Sequence, residues 1–388
     1  MRIDLHGGFG EKGRTCVGVS AAGLRLLFDA GIKVGATGRE YYPAIEGPAN
    51  AFDALFLTHA HEDHVGALSW LLAAGFSGTI FMTAETLEEA PGTLRAYADP
   101  AEVRAHPIPR GRVELFRPGD TLRVGAVTIR TGRSGHVAGG TWFLVEADGS
   151  CLGYAGDVLP DSDVFVMDAI PPCDLLLLDA SYGADPISPT ERSRAVSEWI
   201  ARHPGTSLLP TPLHGRSLEL IALIKGPFAI EASMRGALEG QIAAGTMLHA
   251  QATRALSQRL AAAQQWREGE PLPDCPLLAD DGMGFAGPSA TLLPRYAEAG
   301  LPIVLTGHLP SGTIGQRLHD EGRADWIRLP THPTLGGNLR IWDEAGRPPV
   351  LGHSCVADQL VQLASHVPTL RPDFRTGQSL TLSHGAIL

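Results

Sequence analysis

The apolar run Ala54-Leu55-Phe56-Leu57 stops on Thr58-His59-Ala60-His61-Glu62-Asp63-His64, and this stretch constrains the chain more than any other. A buried strand ending in such a loop presents its side chains convergently. Imidazole and carboxylate together are the donor set of borderline divalent ions, zinc above all. The HxHxDH spacing is far more demanding than a lone HxH, so the segment is expected to hold metal rather than to decorate a surface. Behind it, Val65 to Leu72 carries apolar residues at helical spacing, which puts Asp63 and His64 at a helix start, facing the same space.

The same design recurs along the chain. Leu24 to Phe28 leads to Asp29, Thr128 to Arg130 leads to Gly135-His136, and Cys151 to Tyr154 ends at Gly156-Asp157. Leu175 to Leu178 ends at Asp179, and Leu380 to Leu382 ends at His384-Gly385. Chemistry-bearing residues placed just after apolar strands are the mark of an α/β sheet whose carboxyl edge forms a site. At 388 residues the chain exceeds the size at which one core stops growing, so one large domain with an insertion, or two domains, is expected.

Several classes are excluded or disfavoured. No segment is long and apolar enough to span a membrane, and no basic stretch followed by an apolar one opens the chain. The five cysteines, Cys16, Cys151, Cys173, Cys275 and Cys355, form no CxxC pair, and a reducing cytoplasm suits them best. A net charge of −11 argues against coating nucleic acid through a broadly basic surface. It leaves room for a local groove: Arg104, Arg110, Arg112, Arg117, Arg123, Arg130 and Arg133 cluster in sequence, either as a patch or spread over several faces and paired with acids.

Taken together, the motifs resemble those of metallo-β-lactamase-fold hydrolases of the β-CASP branch, the group containing RNase J and the nuclease of the mRNA 3′-end cleavage factor. Phe28-Asp29-Ala30-Gly31 resembles the first motif, His59 to His64 the second, Gly135-His136-Val137-Ala138-Gly139 the third, and Tyr154-Ala155-Gly156-Asp157 the fourth. Asp179-Ala180-Ser181-Tyr182-Gly183 is similar to the branch's motif A. Pro210 with Gly215-Arg216 and Glu219-Leu220, and Thr306-Gly307 through Gly312-Thr313-Ile314-Gly315, are similar to its further signatures. The resemblance implies an αββα metallo-β-lactamase sandwich over 1–184 and 341–388, with an inserted α/β β-CASP domain over 185–340.

By the same resemblance, His59, His61 and His136 hold one Zn2+, Asp63, His64 and His384 a second, and Asp157 bridges them, with Mn2+ as the competing ion. Asp29 is expected to orient ligands by hydrogen bonding rather than to bind metal. Asp63, Asp179 and His353 are the expected catalytic residues, His353 as the general acid and Asp179 holding its ring. Here the chain departs from the family: Leu351-Gly352-His353-Ser354-Cys355 stands where S-A-H-A-D is usual, and Ala386 follows His384-Gly385 in place of an acid. Arg216, Ser311, Gly312 and Thr313 are expected phosphate contacts at two Gly-containing helix starts. His6, His106, His203, His249, His308, His319, His332 and His366 show no ligand-like spacing and most are expected to be ordinary, with His214 and His308 the exceptions, since both sit inside family-like motifs where other residue types are more usual. The implied function is RNA phosphodiester hydrolysis in the cytoplasm, with self-association and protein partners left open. The alternatives are a DNA nuclease, or a hydrolase of a smaller ester or phosphoester.

Overall fold

The computed structural model describes residues 1–388. The chain divides into two compact units, one of Met1–Pro160, Met167–Pro186 and His332–Leu388, the other of Asp161–Val166 and Ile187–Thr331.

Two sheets make the first unit. Strands Arg2–Gly7, Cys16–Ala21, Leu24–Phe28, Ala54–Phe56, Thr79–Met82 and Val113–Leu115 lie side by side in that order, with Ser379–Ser383 beyond Arg2–Gly7 at the other side. The second sheet runs Val350–His353, Leu175–Asp179, Ser150–Tyr154, Thr141–Ala147, Val127–Arg133, Thr121–Val124. Alternation along each strand assigns residues to layers, because successive side chains leave a strand on opposite faces. Leu26, Phe28, Phe56, Phe143, Leu175 and Leu177 fill one continuous core between the sheets. Leu27, Leu55 and Leu57 face outward under Leu68 and Leu71 of the helix Leu68–Ala73. Leu176 and Leu178 face outward under Ile341, Leu360 and Leu363 from two other helices. Helix, sheet, sheet, helix is the αββα sandwich that the motifs imply.

Strand direction decides which ends share an edge. Leu24–Phe28, Ala54–Phe56 and Thr79–Met82 are mutually parallel, as are Ser150–Tyr154, Leu175–Asp179 and Val350–His353. Ser379–Ser383 runs antiparallel to Arg2–Gly7, which is itself antiparallel to Cys16–Ala21, and that strand is antiparallel to Leu24–Phe28. Ser379–Ser383 therefore ends at the edge opposite to the one reached by Phe28 and Phe56.

The second unit is α/β, built on a parallel sheet ordered Ser207–Pro210, Pro276–Ala279, Ala229–Glu231, Gln264–Trp266. Its boundaries differ from the expected 185–340. The amphipathic helix Leu335–Glu344 belongs to the first unit, where Ile341 covers the second sheet, so the chain is back in that unit by His332. Residues 161–166 join the second unit, Val166 N–H donating to the Met247 carbonyl at 2.9 Å. No helix is long and apolar enough to cross a membrane.

Candidate metal centre

The carboxyl edge of both sheets in the first unit carries the site. Phe56 ends its strand two residues before Thr58-His59, and the short helix Glu62–Val65 places Asp63 and His64 in one turn with His61 as its N-cap. His136 follows the strand Val127–Arg133, and Asp157 follows Ser150–Tyr154 after a turn at Gly156. Gly156 has φ +54°, and a Cβ there would lie 2.6 Å from the Thr58 methyl, so only glycine lets Asp157 approach.

Two ligand sets meet at Asp157. His59, His61, His136 and Asp157 offer donor atoms all within 4.8 Å of one another, and Asp63, His64 and Asp157 do the same. Asp157 turns one oxygen to each set: Oδ2 lies 3.8 Å from His59 Nε2 and 3.7 Å from His136 Nε2, whereas Oδ1 lies 3.1 Å from His64 Nε2. His59 Nε2, His64 Nε2 and Asp157 Oδ1 are buried and make no aligned hydrogen bond. Buried polar atoms almost always have partners, so convergent unsatisfied nitrogens and a carboxylate oxygen fit a divalent cation.

Asp29, buried with φ +60°, braces this arrangement. It accepts the Thr58 N–H at 2.7 Å, the Thr58 hydroxyl at 2.8 Å, the Tyr154 hydroxyl at 2.7 Å and His64 Nδ1–H at 2.7 Å. With Nδ1 so engaged, His64 presents Nε2 to the cluster, the usual way a carboxylate orients a metal-binding imidazole.

Protonation follows the surroundings. Burial, with His64 and His61 beside it, holds His59 well below the usual histidine range. Burial also opposes charging His64, but Asp157, Asp63 and Asp29 outweigh it and raise that imidazole well above its ordinary value. Burial raises Asp63, whereas His64 and His332 overcome the burial of Asp157 and hold it well below the carboxylate range.

Two sequence expectations do not survive the topology. His384 follows Ser383 on the far edge, exposed, with its N–H 3.2 Å from the Ser150 hydroxyl. Ser150 begins the five-residue strand whose other end leads to Asp157, so His384 and the cluster are separated by that strand's length, about 13 Å at roughly 3.3 Å per residue. It belongs to neither ligand set. Asp179, in turn, makes no hydrogen bond to His353. Its Oδ2 accepts from His332 Nδ1 at 2.9 Å and from Val158 N–H at 3.1 Å, and its Oδ1 accepts from the Ser181 N–H and hydroxyl. His353 is fully buried, with Nδ1 3.1 Å from the Ser354 hydroxyl.

His332 is the residue that spacing could not reveal. Its Nδ1 lies 3.8 Å from Asp157 Oδ2, its ring centroid lies 4.9 Å from that of His136, and Asp157, Asp179 and His332 form a third convergent group. Burial opposes its charged form, but Asp179 and Asp157 raise its pKa to about 9. The available signal was its position in the Pro330 to Gly337 turn-rich segment, where the inserted chain returns to the sandwich.

The expected phosphate contacts all lie in the second unit. Arg216 opens the helix Arg216–Leu223 and donates to the Thr331 hydroxyl at 3.0 Å. Thr313 caps the helix Ile314–Asp320, accepting from Gln316 N–H, and Ser311 and Gly312 are exposed beside it. The arginine-rich stretch is dispersed: Arg133 pairs with Asp168, Arg130 lies 3.8 Å from Glu146, and Arg112 donates to the Phe76 carbonyl.

An αββα sandwich with a carboxylate shared by two ligand sets at its strand edge is the arrangement of metallo-β-lactamase-fold hydrolases. The chain belongs to the β-lactamase superfamily, whose domain profile matches residues 24–224. It is 28% identical over 258 residues to ribonuclease TTHA0252 of Thermus thermophilus, covering 61% of this chain and 59% of that one. It is 28% identical over 242 residues to cleavage and polyadenylation specificity factor 73 of Drosophila melanogaster, covering 58% of this chain and 35% of that protein. Against transcription termination factor FttA of Methanocaldococcus jannaschii, the identity is 24% with 99% of this chain and 67% of the relative covered. The chain thus spans well under two thirds of the first two relatives. These relatives agree with the β-CASP branch that the motifs resemble. A solved structure of a protein of unknown function from Enterococcus faecalis shares the fold over 98% of this chain and 99% of its own, with a TM-score of 0.62 and 13% identity.

Proposed function

We propose that the protein is a zinc-dependent ribonuclease that hydrolyses RNA phosphodiester bonds at a paired-metal centre. The observation that carries this reading is the division of Asp157 between two ligand sets, one oxygen facing His59 and His136 and the other facing His64. His59, His61, His136 and Asp157 would hold one ion, and Asp63, His64 and Asp157 the other, with Mn2+ able to compete for the same donors. When bound, a pair of divalent ions supplies Lewis acidity toward a phosphoryl oxygen and neutralises its charge. The ribonuclease and cleavage-factor relatives support RNA as the polymer.

The protein's own groups supply the proton and the orientation. Asp179 accepts Nδ1–H of His332 and fixes that ring, leaving Nε2 to carry a proton to the leaving oxygen. This is the role expected for His353 from the sequence. His332 suits it better because its side chain is 17% exposed at the site, whereas His353 is wholly enclosed. Asp29 orients His64, and Asp63 completes the turn that presents it. Arg216 and the Ser311-Gly312-Thr313 turn are proposed contacts for the phosphate backbone.

The test is a gel assay of zinc-loaded protein on end-labelled single-stranded RNA and DNA, with Asp63→Ala as control. Cleavage of RNA alone, lost in the variant and weakened steeply by salt, is the expected result. A protein with two bound metals that cleaves neither polymer would instead be a hydrolase of a smaller ester or phosphoester.

A further inference from the structure

Of the chain's 12 phenylalanines and six tryptophans, only Phe285 and Trp326 are exposed, at 54% and 39%. One exposed ring alone needs no explanation, but these two share an edge of the second unit. Strands Ser207–Pro210 and Pro276–Ala279 are parallel, Leu208 bridges Ile303 in parallel, and Val304–Leu305 is parallel to Asp325–Trp326. Trp326 therefore ends its strand at the carboxyl edge of these strands, and Phe285 stands in the loop that leaves Pro276–Ala279 at that same edge.

The chain that carries each ring is pinned. Trp326 Nε1–H donates to the Gly307 carbonyl at 2.8 Å, and the adjacent Asp325 accepts the Trp199 indole N–H at 2.6 Å. Asp281 holds the Phe285 loop, its Oδ1 accepting the N–H groups of Met283, Gly284 and Phe285 at 2.9, 2.6 and 3.2 Å and its Oδ2 that of Ala286 at 3.0 Å.

Cations accompany the rings. A Cβ on Gly307 would fall 2.5 Å from Arg216 Nη1, so the Arg216 guanidinium lies directly on the residue that anchors Trp326. Arg328 Cζ stands 5.2 Å from the Trp326 ring centroid, and His308, next to Gly307, is exposed. The chain then enters the helix Ile314–Asp320, onto which the Phe285 loop packs: Gly315 N–H donates to the Met283 carbonyl at 3.2 Å, and a Cβ on Gly284 would fall 3.3 Å from Ile314 Cβ. Trp326, Arg216 and Phe285 are thus linked through contacting segments along one edge, in a chain whose net charge is −11. An aromatic face accepts any base, and a guanidinium beside it suits the phosphate that follows, which is how proteins grip single-stranded nucleic acid. A duplex keeps its base faces inside the stack and offers them nothing.

We propose that Trp326 and Phe285 each stack an unpaired base of single-stranded RNA, with Arg216 and Arg328 neutralising the phosphates beside them. This rests on the ribonuclease reading and adds the form of the polymer, a single strand held by its bases as well as its backbone.

The test is fluorescence anisotropy of labelled oligoadenylate, of an abasic ribose-phosphate oligomer of equal length and of duplex RNA, titrated with full-length protein carrying Asp63→Ala so that the strand stays uncut. Adding Trp326→Ala or Phe285→Ala is expected to weaken oligoadenylate binding about 5–150-fold, the loss of one stacked base, with the abasic oligomer and the salt dependence unchanged. Trp326→Phe, which keeps an aromatic face and serves if Trp326→Ala does not fold, is expected to retain most of the affinity. Arg216→Ala is expected to weaken both oligomers and to lower the salt slope by about one. Oligoadenylate affinity unchanged in either ring variant overturns the proposal and leaves the ribonuclease reading standing, as does an equal loss toward the abasic oligomer or duplex bound as tightly as single strand. Ring variants that bind RNA fully but lose self-association would assign the rings to a second copy of this chain and overturn it too. A parent protein that binds no RNA overturns the ribonuclease reading and the proposal with it.

Discussion

His332 Nδ1 donates to Asp179 Oδ2 across 2.9 Å, joining two residues 153 positions apart in the chain at the mouth of the candidate metal centre. The carboxylate fixes the ring, and with Asp157 it raises the imidazole's pKa to about 9, so the ring is charged at neutral pH in the metal-free protein. A general acid must be protonated to act, so activity that depends on His332 is present below its pKa and is lost as pH rises through it. His332→Ala should lower turnover by roughly two to four orders of magnitude with metal content intact. Asp179→Asn, by removing the largest support of the charged ring, should move the alkaline limb of the rate profile to lower pH. A pH–rate series on both variants checks this, and an unmoved limb in Asp179→Asn would remove the pair from the mechanism.

Asp157 is the one residue common to both ligand sets, and that asymmetry is measurable. Asp157→Ala should lose both ions and all activity. His59→Ala should lose the ion of its own set first, with activity also abolished. Zinc at full stoichiometry in either purified variant is the outcome that refutes the ligand assignment.

Asp29 touches His64 but neither ligand set as a donor. Asp29→Asn preserves shape but weakens the carboxylate's hold on Nδ1, so zinc affinity at the Asp63, His64, Asp157 set should fall about 10–100-fold while the other set stays filled. Chelator competition on the two sites separates these effects, and equal weakening at both would mean that Asp29 acts through the fold instead.

In the second unit, burial raises Glu219 to a pKa of about 7, against the helping hydrogen bond from the Ser162 hydroxyl at 2.5 Å. A carboxyl raised in the folded state binds more protons there than when unfolded. Its contribution is complete below the unfolded value near 4.5 and is lost as pH rises to about 7. Glu219→Gln, which stays neutral, should melt close to the unaltered protein at pH 4 and above it at pH 8. Thermal melts at the two values decide the point, and a variant that melts lower at pH 8 would show the charged carboxyl to be well accommodated.

Much of this protein is written locally. Period-two alternation in Leu24–Phe28 and Leu175–Asp179 sorts each side chain to an inner or outer core, and the sandwich follows. His59 through His64 converge because one strand end and one helical turn hold them all. Asp29 and Asp157 were legible for the same reason, Asp29 standing directly after its strand and Asp157 one short turn beyond its own.

The sequence alone therefore determined the layers, the metal-binding motif and the edge where it gathers. Only the tertiary structure decided which histidine serves Asp179 and on which edge His384 lies. Strand direction and register between segments more than a hundred residues apart settle those questions. Ser379–Ser383 pairs antiparallel with Arg2–Gly7 and carries His384 away, while the returning chain delivers His332 to Asp179 without any local pattern to announce it.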